Sequence, residues 1–184
     1  MCREGVTASN CVPIPGFDVE RIPDYSRADC LAQSQALVPI LARTETVIIA
    51  GMWQWQSQSD AFLQALAEFA KTLSAQGKRV IVMAQVPMFE VNVQRMQRFS
   101  ALGMEIAPER NVAWESANRK VAERLAGIDN VFFMDLSQTP FFQHAPYEGG
   151  MLVYQDNHHL NERGARRYGE MAAPILAKLI FPLH

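Results

Sequence analysis

Three short apolar runs limit how this chain can fold. ETVIIAG (45–51), RVIVMAQVP (79–87) and NVFFMDLS (130–137) are rich in β-branched and aromatic residues and too short for ordinary helices. None alternates apolar with polar, as a strand with one wet face would. They read as strands buried on both faces, the pattern of a parallel sheet.

The segments between them repeat at helical spacing. In SDAFLQALAEFAKTLSAQGK, Phe62, Leu66, Phe69 and Leu73 form one stripe, Ser59 can cap its start and Gly77 can end it. Residues 27–43 predict a helix in which Pro39 is a kink or an early stop. Helical patterns also cover 91–103 and 112–127, the second ending near Gly127. MLVYQ, 151–155, reads as a short strand or an extended loop. Asn161 then caps a final helix, with Ala165, Tyr168, Ala172, Ile175, Leu176 and Leu179 on its buried face.

Alternating strands and helices predict an α/β fold: a parallel sheet covered by helices on both faces, with right-handed crossovers. The 184 residues suit one domain, 1–184. Ligands of such sheets bind at the carboxyl ends of the strands. That rule assigns one cleft to the loop after Ser9, the GMWQWQSQS loop after Ala50 and the loop after Leu136. The DNHH segment before the final helix can reach it. The front is unusual. Val6–Ser9 reads as the end of a strand entering a loop, so one strand-helix unit is missing from the expected rhythm.

Composition excludes some functions. Net charge is -2, and no Lys/Arg run exceeds two residues. Neither nucleic acid nor a polybasic membrane contact is indicated. No apolar run approaches the roughly 20 residues of a membrane span, and MCREGVTASNC has no apolar signal-peptide core. The three cysteines, Cys2, Cys11 and Cys30, have no CxxC spacing, which argues against zinc. They are either unrelated thiols or include a Cys11–Cys30 bridge across the proline-rich segment VPIPGFDVERIPDYSRAD. Such a bridge implies an oxidising compartment.

The stretch YQDNHHLNERGARRYGE concentrates the chemistry. Asp156 stands three residues before His159, just ahead of a helix. A carboxylate there can accept from imidazole Nδ1–H, which fixes the tautomer and leaves Nε2 free to take a proton. The bland reading is a helix start decorated with polar residues. A metal site from Asp156, His158 and His159 is disfavoured, because adjacent side chains normally diverge; neither metal nor cofactor is expected. His144 reads as a loop histidine, Asp135 as a loop-ordering residue, Glu90 and Glu115 as surface charges, and the nine methionines as core filler.

The same stretch resembles the last block of SGNH-type serine esterases and acyltransferases, where D-x-x-H-L precedes the C-terminal helix. More narrowly, the chain is similar to the SGNH domain attached to membrane O-acyltransferases that modify bacterial surface glycans. VTASNCVPIPG resembles the segment after that group's second strand, Cys30 its second cysteine, and VIIAGMWQW its third-strand motif. The resemblance implies a three-layer, flavodoxin-like sheet without its first strand-helix unit. It also implies His159 as general base, Asp156 as its orienter, a Cys11–Cys30 disulfide and a flanking role for His158. Gly51 matches the glycine of the G-x-N block that stabilises the oxyanion, but Trp53 stands where the family has asparagine. Packing against the cleft wall or a sugar is the competing reading of Trp53 and Trp55. Ser9 and Asn10 fall in the second block, where backbone amides matter. The family's nucleophile lies in a GDS motif, and no GDS occurs here, so the serine is expected upstream of residue 1.

The resemblance thus implies an O-acyl transferase or esterase acting on cell-envelope polysaccharide. Its partners would be a glycan acceptor, an acyl donor and a membrane acyltransferase domain, and its location periplasmic or membrane-associated. The rival expectation is a non-catalytic remnant that binds glycan or docks onto an acyltransferase.

Overall fold

The computed structural model describes residues 11–12, 14–104 and 107–181. It divides into two units: residues up to Met83 with Arg119–Met134, and Ala84–Asn118 with Asp135 onward.

The first unit holds the sheet. After a 3-10 turn at Val19–Arg21 come α1 (Asp24–Arg43), β1 (Thr46–Ile49), α2 (Trp53–Gln56), α3 (Asp60–Ala75) and β2 (Arg79–Met83). β1 pairs with β2 in parallel, and β2 pairs in parallel with Val131–Met134, a strand that falls later in the chain. Val80, Ile81 and Val82 are all fully buried. Since successive residues point to opposite faces, both faces of this central strand are covered. α3 packs on the sheet through Phe62, Leu66, Ala70 and Leu73. Ser59 Oγ accepts from the Phe62 N–H at its start, and Gly77, at φ +78°, ends it in the left-handed conformation.

Two sequence expectations need correction here. Pro39 neither stops nor shortens α1, which runs through it to Arg43. Only Ser26 and Cys30 of α1 are buried, so the helix has little packing that a bend would disrupt. β1 is not buried throughout, because Ile48 is 45% exposed. The cause is its position: among the described residues β1 pairs only with β2 and forms the edge of the sheet. Cys11 and Cys30 are disulfide-bonded, with Cα atoms 5.6 Å apart, tying the first described residues to α1.

The second unit is built from shorter pieces. β3 (Met88–Phe89) pairs antiparallel with β4 (Arg110–Asn111), and α4 (Val93–Ala101) lies between them in sequence. α5 (Ala113–Leu125) begins in this unit, and β5 is the Val131–Met134 strand of the sheet. α6 (Pro140–Gln143) is followed by a hairpin of β6 (Tyr147–Glu148) and β7 (Met151–Leu152), then by α7 (Glu162–Ile180). The buried side of α7 is narrower than its sequence suggests. Gly164 and Ala172 are buried, whereas Ala165 and Ile175 are exposed. The buried side chains of Asn118 and Gln85 belong to this unit. The Gln85 N–H donates to Asn118 Oδ1 at 2.9 Å, and Asn118 Nδ2 donates to the Gln85 carbonyl at 3.0 Å.

The Cys11–Cys30 bond joins positions 19 apart, across a proline-rich segment and the first turns of α1. Chain entropy alone makes such a crosslink worth about 3 kcal/mol. Cys11→Ser/Cys30→Ser is expected to lower the unfolding free energy by about that amount in urea titrations. A non-reduced digest is expected to contain a peptide joining the two positions. Recovery of both as free thiols under non-reducing conditions would refute the pairing.

Candidate functional site

The D-x-x-H segment sits in a short loop closed at its base. Tyr154 and Leu160 form an antiparallel bridge, and the Gln155 N–H donates to the His159 carbonyl at 2.8 Å. Two contacts with the β3 segment hold the loop down. The Tyr154 hydroxyl donates to the Pro87 carbonyl at 2.8 Å, and the Phe89 N–H donates to the Asn157 carbonyl at 2.8 Å. The rings of Phe89 and Tyr154 meet edge to face at 5.1 Å. Burial pushes the Tyr154 phenol well above its usual range, against an opposing pull from Arg110, so it stays a neutral donor.

Asn161 joins the loop to α7. Its Oδ1 accepts from the Gly164 N–H at 2.9 Å, the N-cap bond, while its Nδ2 donates to the Leu152 carbonyl at 2.8 Å. Gly164 is required for a different reason. A Cβ there would lie 2.1 Å from the Val153 carbonyl oxygen, so α7 approaches the loop backbone as no other residue allows.

Within this frame Asp156 faces both histidines. Its Oδ1 accepts from the backbone N–H of His158 at 2.8 Å and of His159 at 2.7 Å. Its Oδ2 lies 2.7 Å from His159 Nδ1. With the carboxylate ionised, that nitrogen carries the proton and Nε2 is left as the basic atom. The His159 side chain is 63% exposed, so Nε2 is open to a reacting partner. Burial alone would raise the Asp156 pKa. The His158 amide, the His159 ring and the His159 amide outweigh it and hold the carboxyl below its ordinary value.

His158 is more than a flanking residue. Its ring lies 3.9 Å from that of His159, centroid to centroid, and its Nδ1 is 2.7 Å from Asn157 Oδ1. Burial pushes its pKa down, Asp156 pulls it up, and the neighbouring His159 pushes it down again, with a net lowering. The expectation that adjacent histidines diverge is therefore corrected, because the tight loop turns both rings to the same carboxylate. Among the described residues these three are the group with metal-ligating atoms close together, all within 4.8 Å. An ion taken up through Nδ1 of either ring would displace the His159–Asp156 or the His158–Asn157 hydrogen bond.

Gly51 and Trp53 belong to the sheet-bearing unit. Trp53 is fully buried, and its Nε1–H donates to the Met83 carbonyl at 2.8 Å. The indole has no second N–H, so Trp53 is not an oxyanion donor in this arrangement, nor is its ring open to a sugar. A Cβ on Gly51 would lie 2.7 Å from Trp53 Cζ3, so Gly51 is what lets the indole fold back over its own strand end. Trp55, in contrast, is 61% exposed. Ser9 and Asn10 lie outside the described residues. Asp135 Oδ1 accepts from the Ser137 N–H at 2.7 Å, a loop-ordering bond, and its charge joins burial in pushing the Tyr168 pKa up to about 12. His144, Glu90 and Glu115 are exposed.

Sequence reasoning missed Tyr154, Asn157 and Gly164. Gly164 had a signal, a glycine inside a helix pattern three residues after the capping Asn161. Tyr154 and Asn157 had none, since their partners lie about seventy positions away in the chain.

The sequence matches the family described as "SGNH domain (fused to AT3 domains)" over residues 5–174, and the chain belongs to that family. It is an acyltransferase- and esterase-type family. The fold is similar to a solved structure, the periplasmic domain of the Salmonella ser. Paratyphi A lipopolysaccharide acetyltransferase. The two share a TM-score of 0.57 and 13% identity, covering 90% of this chain and 68% of that one. At that identity the likeness is one of fold. No curated protein matches the sequence.

Two outcomes test this geometry. Gly164→Ala cannot be absorbed by a flexible neighbour, because the clash is with backbone. It is expected to cost about 1–3 kcal/mol or more in thermal unfolding and to broaden the His159 ring resonances. The depressed Asp156 pKa has a definite sign. Its stabilisation is full above the unfolded value of about 3.9 and is lost as pH falls through the lower folded value. The stability gap between wild type and Asp156→Asn, read in urea, is therefore expected to shrink between pH 7 and pH 3. A gap independent of pH would contradict the hydrogen bonding described.

Proposed function

We propose that this chain is the His-Asp half of a serine-dependent O-acyl transfer site acting on cell-envelope glycan. The observation that carries the reading is the 2.7 Å contact between Asp156 Oδ2 and His159 Nδ1, with the imidazole otherwise exposed. In this reading His159 Nε2 takes the proton of a serine hydroxyl as the oxygen attacks an acyl carbonyl. Asp156 holds the ring and stabilises the imidazolium formed. The tetrahedral oxyanion is held by backbone N–H groups. His159 then returns the proton to the leaving oxygen. A sugar hydroxyl completes transfer, or water completes hydrolysis; both use the same residues. No cofactor enters this scheme.

The serine is supplied by a GDS block outside this sequence, which contains none. Membership in a family fused to AT3 domains supports a membrane acyltransferase as working partner. The described fold likeness to a periplasmic domain supports a periplasmic or membrane-associated setting.

The test compares the 184-residue chain with the protein encoded by the whole reading frame, using p-nitrophenyl acetate. The chain alone is expected to give no turnover above background. The whole product is expected to turn over and to lose about 10⁴-fold with His159→Ala. Full activity in His159→Ala would overturn the assignment of the base. Robust turnover by the short chain, abolished by Ser9→Ala, would place the nucleophile within it. A reading frame without GDS and an inactive product would favour a glycan-binding or docking module.

A further inference from the structure

α4 presents a side that the fold does not use. Its buried residues are Val93 and Met96, and every residue from Gln97 to Met104 is exposed. That exposed stretch includes Phe99 at 41%, Leu102 at 75% and Met104 at 46%. Helical geometry groups them. At about 100° per residue, Arg95, Arg98, Phe99 and Leu102 fall within an arc of about 100°, turned away from Val93 and Met96.

The display is ordered by hydrogen bonds. The Gly103 N–H donates to the Ser100 carbonyl at 3.0 Å and the Met104 N–H to the Phe99 carbonyl at 3.1 Å, with Gly103 at φ +81°. This Schellman-type ending reverses the chain at Gly103 and brings Met104 back toward Phe99. Two cations stand at one end of the exposed side and three apolar side chains at the other. Between Val91 and Met104 the sequence has no acidic residue; Glu90 and Glu105 flank it. Neither Arg95 nor Arg98 has an ion pair among the described residues.

We propose that the end of α4 is a contact with an anionic lipid surface, in which Phe99, Leu102 and Met104 enter the headgroup boundary and Arg95 and Arg98 pair with lipid phosphates. A helix end with three apolar side chains is small for a protein interface, which buries about 800 Å² per partner. It suits a bilayer, where short apolar side chains dip below the phosphates while arginine stems extend back to them. Two charges are too few to mark the composition as basic and give weak, salt-sensitive binding. Weak binding is enough for a domain already held beside a membrane. In that respect alone the proposal rests on the reading of an AT3-fused domain; it does not involve His159 or a nucleophile.

The experiment is co-sedimentation of the 184-residue chain with vesicles of phosphatidylcholine alone or mixed with phosphatidylglycerol. Binding is expected to rise with phosphatidylglycerol and to fall with salt. It should weaken about fivefold for each of Arg95→Gln and Arg98→Gln, and Leu102→Asp should abolish it. All these positions are exposed, and circular dichroism confirms that the variants fold. A Phe99→Trp reporter is expected to shift to the blue on mixed vesicles. Absence of binding to mixed vesicles, or binding unchanged by Leu102→Asp, would overturn the proposal. So would capture by a solubilised AT3 domain through this helix without vesicle binding, which would make it a protein dock. His159→Ala is expected to bind vesicles like wild type, so failure of the acyl-transfer reading leaves this result intact.

Discussion

Everything distinctive about the candidate site depends on one carboxylate. Asp156 accepts two backbone N–H groups on one oxygen and meets an imidazole with the other. The two amides fix the carboxylate's direction without any long side chain. The ring of His159 is then oriented by a group that is itself held by the backbone it belongs to. This explains why a loop, ordinarily a poor place for geometric accuracy, can carry such a pair. The bridge at Tyr154 and Leu160, the Asn161 cap and the close approach at Gly164 brace the turn from its two ends. An ionised carboxylate with three donors has little reason to take a proton, so it acts as a fixed negative charge under the imidazole.

The legible parts of the chain were those where local chemistry decides the structure. The three apolar runs gave the strands, Ser59 and Asn161 gave helix starts, and Gly77 and Gly127 gave helix ends, since each reports on its own few neighbours. The same holds for the Asp156–His159 spacing. What escaped depends on distant partners. β3, β4 and β6 are two residues long and have no periodicity to read, whereas β7 falls within the MLVYQ run read as a short strand or extended loop. Ile48 looks like a core residue in sequence, but it is exposed on β1, which among the described residues pairs only with β2. The divergence expected of His158 and His159 is a rule for extended or helical backbone. A turn that bends over one carboxylate does not obey it.

Trp53 shows how a motif can match in sequence while its chemistry moves elsewhere. An asparagine at that position has a carboxamide that can extend toward a substrate. The indole instead lies fully buried over Gly51, with its single N–H given to Met83 at the end of β2. The glycine is still needed, but the pressing requirement becomes room for a ring. In the proposed acyl-transfer reading, oxyanion stabilisation falls to backbone N–H groups rather than to the side chain at position 53.

His158 adds a constraint on the proposed base. Its ring lies against that of His159 and is fixed from the far side by Asn157, whose carbonyl is in turn held by Phe89. Burial and the neighbouring His159 favour the neutral form of His158, against the pull of Asp156. In the proposed role of His159, a charged residue at this place would oppose the imidazolium. A small one would leave the exposed His159 ring free to rotate off Asp156. A neutral, flat and anchored ring avoids both, which gives a physical reason for two adjacent histidines in a chain with only four.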